Sequence, residues 1–239
     1  NSSGTAVTTA IVTVNPLPAA GTITGATSVC VSATITLADL TGGGVWSSSN
    51  TTASISAGVV TGLTGGIDTI IYTVTNSCGA ATASYPVTVN PLPDAGVITG
   101  PLIVCIGSFA TLADIVTGGV CSCSNSAASI SAGIVTGVST GIDTVMYTAT
   151  NACGTATAVH VITVIDLPAV GPLTGPSVVC AGNTITLTDA TPGGTWSSSG
   201  SAASASAGVV TGVSAGTVNI SYAVSNSCGT SFGVKTITV

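Results

Sequence analysis

The sequence predicts an all-β protein built from three β-sandwich modules in tandem. Three observations carry this: an ungapped internal repeat, short β-branched segments separated by Gly- and Asn-rich turns, and no helical periodicity. Cys30, Cys105 and Cys180 are equally stepped along the chain, and Cys78, Cys153 and Cys228 follow the same step. Trp46 and Trp196 lie two steps apart, and Pro18, Pro93 and Pro168 each close a Pro-Leu-Pro or Asp-Leu-Pro tripeptide. The repeats are residues 15–89, 90–164 and 165–239. Residues 1–14 match the end of a repeat, Asn1-Ser2-Ser3-Gly4 aligning with Asn76-Ser77-Cys78-Gly79. They are expected to be the final strand of a preceding repeat in a longer array.

Within the first repeat, Gly21–Gly25 reads as a short edge strand. Residues 33–37 form the next, with Ile35 and Leu37 on one face, and residues 44–48 follow the glycine turn. Two brief strands, 53–55 and 59–61, flank Ala57-Gly58. Residues 69–75 turn Ile70, Tyr72 and Val74 inward by period two, Asn76–Gly79 is a hairpin turn, and residues 80–89 are the last strand.

Composition narrows function. Charged residues are 3% of the chain, with seven Asp, no Glu, one Lys and no Arg, where an ordinary domain has about 25%. Nothing is available to neutralise phosphate, which excludes nucleic acid and an anionic membrane surface as partners. No apolar run approaches the roughly 18 residues of a spanning helix. Aromatics at 3% do not furnish the girdles of a membrane barrel, so no membrane insertion is expected.

A module as small as one repeat buries only about 60% of its unfolded surface, so its core is marginal. One cysteine pair per repeat, at the same spacing each time (78 minus 30, 153 minus 105, 228 minus 180), predicts an intramodular clip: Cys30–Cys78, Cys105–Cys153 and Cys180–Cys228. Zinc is the rival, but the ligands lack a Cys-x-x-Cys or His partner set. Disulfides imply an oxidising compartment.

Gly44–Ser49 (Gly-Val-Trp-Ser-Ser-Ser), then residues 53–62 (Ala-Ser-Ile-Ser-Ala-Gly-Val-Val-Thr-Gly) and 69–75 (Thr-Ile-Ile-Tyr-Thr-Val-Thr) resemble the bacterial immunoglobulin-like group 2 module. The Cys pair and the Pro-Leu-Pro joint resemble the version in giant secreted surface adhesin or filament proteins of gliding, type IX-secreting bacteria. The resemblance covers all three repeats and the leading fragment. It implies tandem immunoglobulin-like β-sandwich domains in a linear array, outside the cell. Such modules serve as stalks, shafts and accessory domains alike.

The second repeat departs from its neighbours. Cys121 stands where Trp46 and Trp196 stand, and Cys123 where Ser48 and Ser198 stand. Two apart on a strand, they share a face. Two small buried thiols, a strained mutual disulfide and a bond to a neighbouring subunit are the three readings.

Catalytic chemistry lacks its groups. His160 is the single His, and its equivalents are Tyr85 and Lys235, so the position reads as solvent-facing. Asp39, Asp114 and Asp189 recur before the Trp or Cys121 strand and are expected to cap turn amides; calcium is the rival reading, without a second carboxylate nearby in sequence. No hydroxyl has a His base in each repeat. Asp68-Thr69-Ile70 and Asp143-Thr144-Val145 resemble an Asp-Thr-apolar O-glycosylation acceptor, making Thr69 and Thr144 candidate sites; Val218-Asn219-Ile220 lacks it. The expectation is therefore a non-enzyme without cofactor or metal: an extracellular shaft module whose partners are flanking repeats and copies of itself in a fibre or bundle. A module that binds glycan or another surface is the alternative.

Overall fold

The computed structural model describes residues 3–114 and 116–239. In the first repeat the strands are β1 (Ile23–Gly25), β2 (Ser28–Cys30), β3 (Thr34–Asp39), β4 (Val45–Ser48), β5 (Ala53–Ser56), β6 (Val59–Gly62), β7 (Gly66–Asn76) and β8 (Gly79–Asn90). They form two four-stranded sheets, β1-β3-β6-β5 and β2-β8-β7-β4. Every pairing is antiparallel except that of β2 with β8. This strand order, with the leading segment divided between both sheets, is an immunoglobulin-like sandwich. The β-branched, period-two pattern fills the space between sheets: Ile70 and Tyr72 of β7, Val87 and Val89 of β8, Leu37 of β3 and Val60 of β6 are buried together. Ala57-Gly58 makes the two-residue hairpin between β5 and β6, both residues at positive φ (49° and 83°).

The second repeat gives β9 (Ile103–Cys105), β10 (Phe109–Thr111), β11 (Val120–Cys123), β12 (Ala128–Ser131), β13 (Ile134–Gly137), β14 (Gly141–Asn151) and β15 (Gly154–Ile165). The third gives β16 (Thr184–Thr186), β17 (Thr195–Ser198), β18 (Ala203–Ser206), β19 (Val209–Gly212), β20 (Thr217–Asn226) and β21 (Gly229–Thr238). Each pair of sheets is again drawn from one repeat. The counterpart of β1 shrinks to the bridges Thr99↔Ala113 and Thr174↔Thr188.

Compactness divides the chain differently from the repeat. One unit is Asn1–Ala95 with Ala149–Ala156, and the other is Gly96–Thr148 with Thr157–Val239. The tip of the β14–β15 hairpin thus belongs with the first module and the joint that follows it. Asn1 and Ser2 of the anticipated leading strand lie outside the described residues; residues 3–14 are exposed and form no strand.

The cysteine pairing corrects the sequence expectation. The bonds are Cys30–Cys153 and Cys105–Cys228, each with Cα atoms 5.6 Å apart and a sequence separation of 123. Cys78 and Cys180 are free and exposed, and Cys121 and Cys123 are free and half-buried. Strand register explains why the intramodular clip fails. Cys30 stands opposite Asn90 at the end of β8, whereas Cys78 sits in the turn before its start at Gly79. The 12 residues of β8 span about 36 Å at roughly 3.3 Å per residue, and a disulfide needs Cα atoms within about 7 Å. The next module's hairpin tip is the thiol within reach. The free pair at Cys121 and Cys123 excludes their mutual disulfide.

Candidate functional site: the clipped joints

Each joint is assembled from four pieces: the end of a module's last strand, its β2-type cysteine, the connecting residues and the next module's hairpin tip. At the joint after β8, Cys30 runs parallel beside Asn90, and Val31 N donates to Asn90 O (3.0 Å). The tip Asn151-Ala152-Cys153-Gly154 is shaped by its own asparagine, whose Oδ1 accepts from Cys153 N at 2.7 Å. The Nδ2 of Asn151 then donates to Pro91 O at 3.0 Å. One carboxamide therefore folds the tip and grips the joint, which brings Cys153 Sγ to 3.7 Å from Asn90 O. The joint after β15 repeats this: Asn226 Nδ2 donates to Asp166 O (2.7 Å), Oδ1 accepts from Cys228 N (2.8 Å), and Cys228 Sγ lies 3.7 Å from Ile165 O. The sequence reading placed Asn76 in a hairpin turn but gave Asn76, Asn151 and Asn226 no part in the joint. Their signal was available in the same repeat step and in the fixed spacing of two before a cysteine.

Inside each module a second constellation recurs. Tyr72 OH donates to Thr41 O (2.6 Å) and accepts from Gly44 N (2.8 Å). Tyr147 and Tyr222 do the same for Val116 and Gly119 and for Thr191 and Gly194. Gly44 must stay glycine, because a Cβ there would run into the Tyr72 ring. The turn aspartates cap amides as anticipated: Asp39, Asp114 and Asp189 accept from the backbone N–H of Thr41, Val116 and Thr191 at 2.7–2.8 Å. Among the described residues no group of three His, Cys, Asp or Glu side chains gathers.

Asp68 and Asp143 are buried, a role the sequence reading missed by treating them only as flanks of a glycosylation motif. Asp68 accepts from Ser48 Oγ (2.7 Å), Ala53 N (2.9 Å) and both N and Oγ of Ser49. Burial pushes this carboxyl up, but the hydrogen bonds outweigh it and hold it below the ordinary aspartate value. Asp143 is lowered by the same opposition, with Ser124, Ala128, Asn125 and Thr144 donating. The neighbouring Thr69 and Thr144 are half-buried.

The Tyr85, His160 and Lys235 position is half-buried in all three modules rather than solvent-facing. Each side chain reaches a carbonyl of the leading segment: Tyr85 OH donates to Gly25 O (2.6 Å), His160 Nε2 lies 3.2 Å from Pro101 O, and Lys235 Nζ donates to Leu173 O (3.3 Å). The common requirement is a long side chain ending in an N–H or O–H donor, which explains how three residue types serve one place.

The second module carries a cleft of about 530 Å³ lined by Ile98, Leu112, Cys121, Val145 and Tyr147 among others. Trp46 and Trp196 stack on Tyr72 and Tyr222 at centroid distances of 4.6 and 4.7 Å; Cys121, paired with Tyr147 in the same register, leaves that space open. Burial, the Asp143 carboxylate and Cys121 push the Cys123 thiol up, so it stays protonated at neutral pH.

No protein-family model matches the sequence, and no curated protein matches it. Among solved structures, titin domains I67–I69 in an E-to-A variant share 14% identity over 88% of this chain and 94% of theirs, with a TM-score of 0.43. Extracellular domains 3–5 of Drosophila OTK share 12% identity over 94% and 99%, with a TM-score of 0.36. The D1–D4 ectodomain fragment of ICAM-5 shares 12% over 91% and 75%, with a TM-score of 0.38. Among the described residues no helix is long and apolar enough to cross a membrane.

Proposed function

We propose that the chain is part of the shaft of an extracellular adhesin or filament, in which flanking repeats are the principal partners. The observation that carries this is the staggered pairing of cysteines. The loop closed by Cys30–Cys153 contains Cys105, and the loop closed by Cys105–Cys228 contains Cys153. The loops overlap, so no single backbone break between Cys30 and Cys228 separates the chain into two pieces. Redundancy of this kind serves a spacer held under tension and exposed to proteases, and its bonds require an oxidising, extracellular compartment. Low charge on Thr- and Ser-rich faces removes the repulsion that keeps chains apart, which favours lateral bundling. Thr69 and Thr144 remain proposed glycan acceptors; with Asp68 and Asp143 turned inward, attachment there precedes folding. Electron microscopy of the intact parent protein tests the reading: a thin stalk or filament is expected, and a compact globule would overturn it.

A ligand-binding adhesion module is the second reading, favoured by the cleft at Cys121. Its apolar lining suits an aromatic or aliphatic group more than a glycan. Filling the cleft with Cys121→Trp should abolish adhesion under this reading and leave a shaft unaffected.

A further inference from the structure

We propose that Cys78 and Cys180 are the two open rungs of a disulfide ladder that continues into further modules of this kind. Cys78 takes the thiol of a β2-type strand, and Cys180 takes the thiol of a hairpin tip. This goes beyond the shaft reading, because it assigns a covalent bonding site to each thiol whatever the array holds up.

The pairing rule is visible twice in the chain. A β2-type cysteine bonds the tip cysteine of the following module, at a sequence separation of 123. Cys78 is a tip cysteine, and its tip is already set in the bonded form. Asn76 Nδ2 donates to Pro16 O at 2.9 Å, and Asn76 Oδ1 accepts from Cys78 N at 2.8 Å. Cys78 Sγ lies 3.5 Å from Asn15 O, the place that Asn90 O and Ile165 O hold at the closed joints. Cys180 stands at the β2-type position, where the strand is reduced to the bridge Val178↔Thr238, and the turn that follows it keeps two hydrogen bonds of the bonded copies. Asn183 N donates to Cys180 O at 3.0 Å, as Ala33 N does to Cys30 O and Ser108 N to Cys105 O. Gly182 N donates to Gly212 O at 2.9 Å, matching Ser32 to Gly62 and Gly107 to Gly137. Both thiols are exposed and so open to attack by a partner thiol.

Closure releases two protons and two electrons, which a small disulfide oxidant such as oxidised glutathione accepts. One cysteine thiolate attacks the oxidant's disulfide and expels a glutathione thiolate. The partner module's thiolate attacks the mixed disulfide and expels the second. The products are one protein disulfide and two reduced glutathiones.

Two arms test the proposal and separate a neighbouring repeat from a second chain as the source of the thiol. In the first, a copy of residues 90–164 is appended after Val239, which places its tip cysteine at the same separation of 123 from Cys180. After oxidation, peptide mapping is expected to find Cys180 bonded to the appended tip and closed to iodoacetamide; Cys180→Ser should leave that tip alkylatable. In the second, Cys78→Ser and Cys180→Ser variants of the 239-residue chain are mixed with oxidised glutathione. A covalent dimer joining Cys180 of one variant to Cys78 of the other, with no higher species, shows the same bond made by a second copy. A bond in either arm supports the proposal and names its source. Cys180 alkylatable in both arms, or bonded to another Cys180, overturns it.

Discussion

Pulling the chain by its ends turns the staggered clips into a length. From Cys30 to Cys228 the chain advances 198 positions (228 minus 30), all of which extend when the protein is reduced and unfolded. In the oxidised chain the shortest load path crosses from Cys30 to Cys153, runs back 48 positions to Cys105 (153 minus 105), and crosses to Cys228. Reduction therefore releases 150 positions (198 minus 48), about 500 to 540 Å at roughly 3.3–3.6 Å each. Single-molecule force spectroscopy with and without reductant reads this directly. Cys78→Ser supplies the discriminating control. Because Cys78 carries no bond in this chain, the substitution should leave the oxidised contour length unchanged. Were Cys78 bonded to Cys30, it would free 48 positions (78 minus 30), about 160 to 170 Å. A lengthening of that size would refute the staggered pairing.

Further outcomes follow from the same geometry. A protease site placed at residues 91–94 and cleaved should leave one species on a non-reducing gel and two on a reducing gel. Asp68→Ala orphans the buried Ala53 N–H, while the Ser48 hydroxyl keeps Asn50 O and Ser49 N keeps Thr69 O. The loss is about 2–4 kcal/mol, read from Trp46 fluorescence in urea with Trp196→Phe as background. Because the folded pKa of Asp68 is lowered, its contribution is complete above the ordinary aspartate value of 3.8 and is lost as pH falls through the lower folded value. Acid sensitivity of the Trp46 signal should accordingly weaken in the variant. Cys121→Trp restores the ring on Tyr147 and should stabilise the second module by about 1–2 kcal/mol, seen as an upward shift of its melting transition. Ala57→Asn, at φ 49°, should add about 0.5–1 kcal/mol by suiting the hairpin turn.

Much of a module was legible in advance because strand formation is local. The alternation at Ile70 and Tyr72, the hairpin at Asn76–Gly79 and the turn at Ala57-Gly58 depend on residues a few positions apart, and all three stand as expected. The capping role of Asp39 was equally local. The short strand β2 was missed, since so brief a strand carries no period and its parallel partner β8 lies about 60 positions downstream (88 minus 28). Asp68 hid for a related reason: its donors come from 15 to 20 positions earlier, brought close only by the β4–β7 and β5 pairings.

The cysteines mark the boundary most sharply. By itself the sequence determined that their pairing must recur with the period of the module. The spacing pointed to the partner within the module, yet the equivalent partner in the next differs from it by only one whole period. Only the tertiary structure chose between them. The parallel pairing of β2 with the far end of β8 places Cys30 a full strand length from Cys78, and the asparagine-gripped tip brings Cys153 to it instead. A periodic sequence fixes spacings only modulo its period; strand length and register decide which copy lies within reach of a bond.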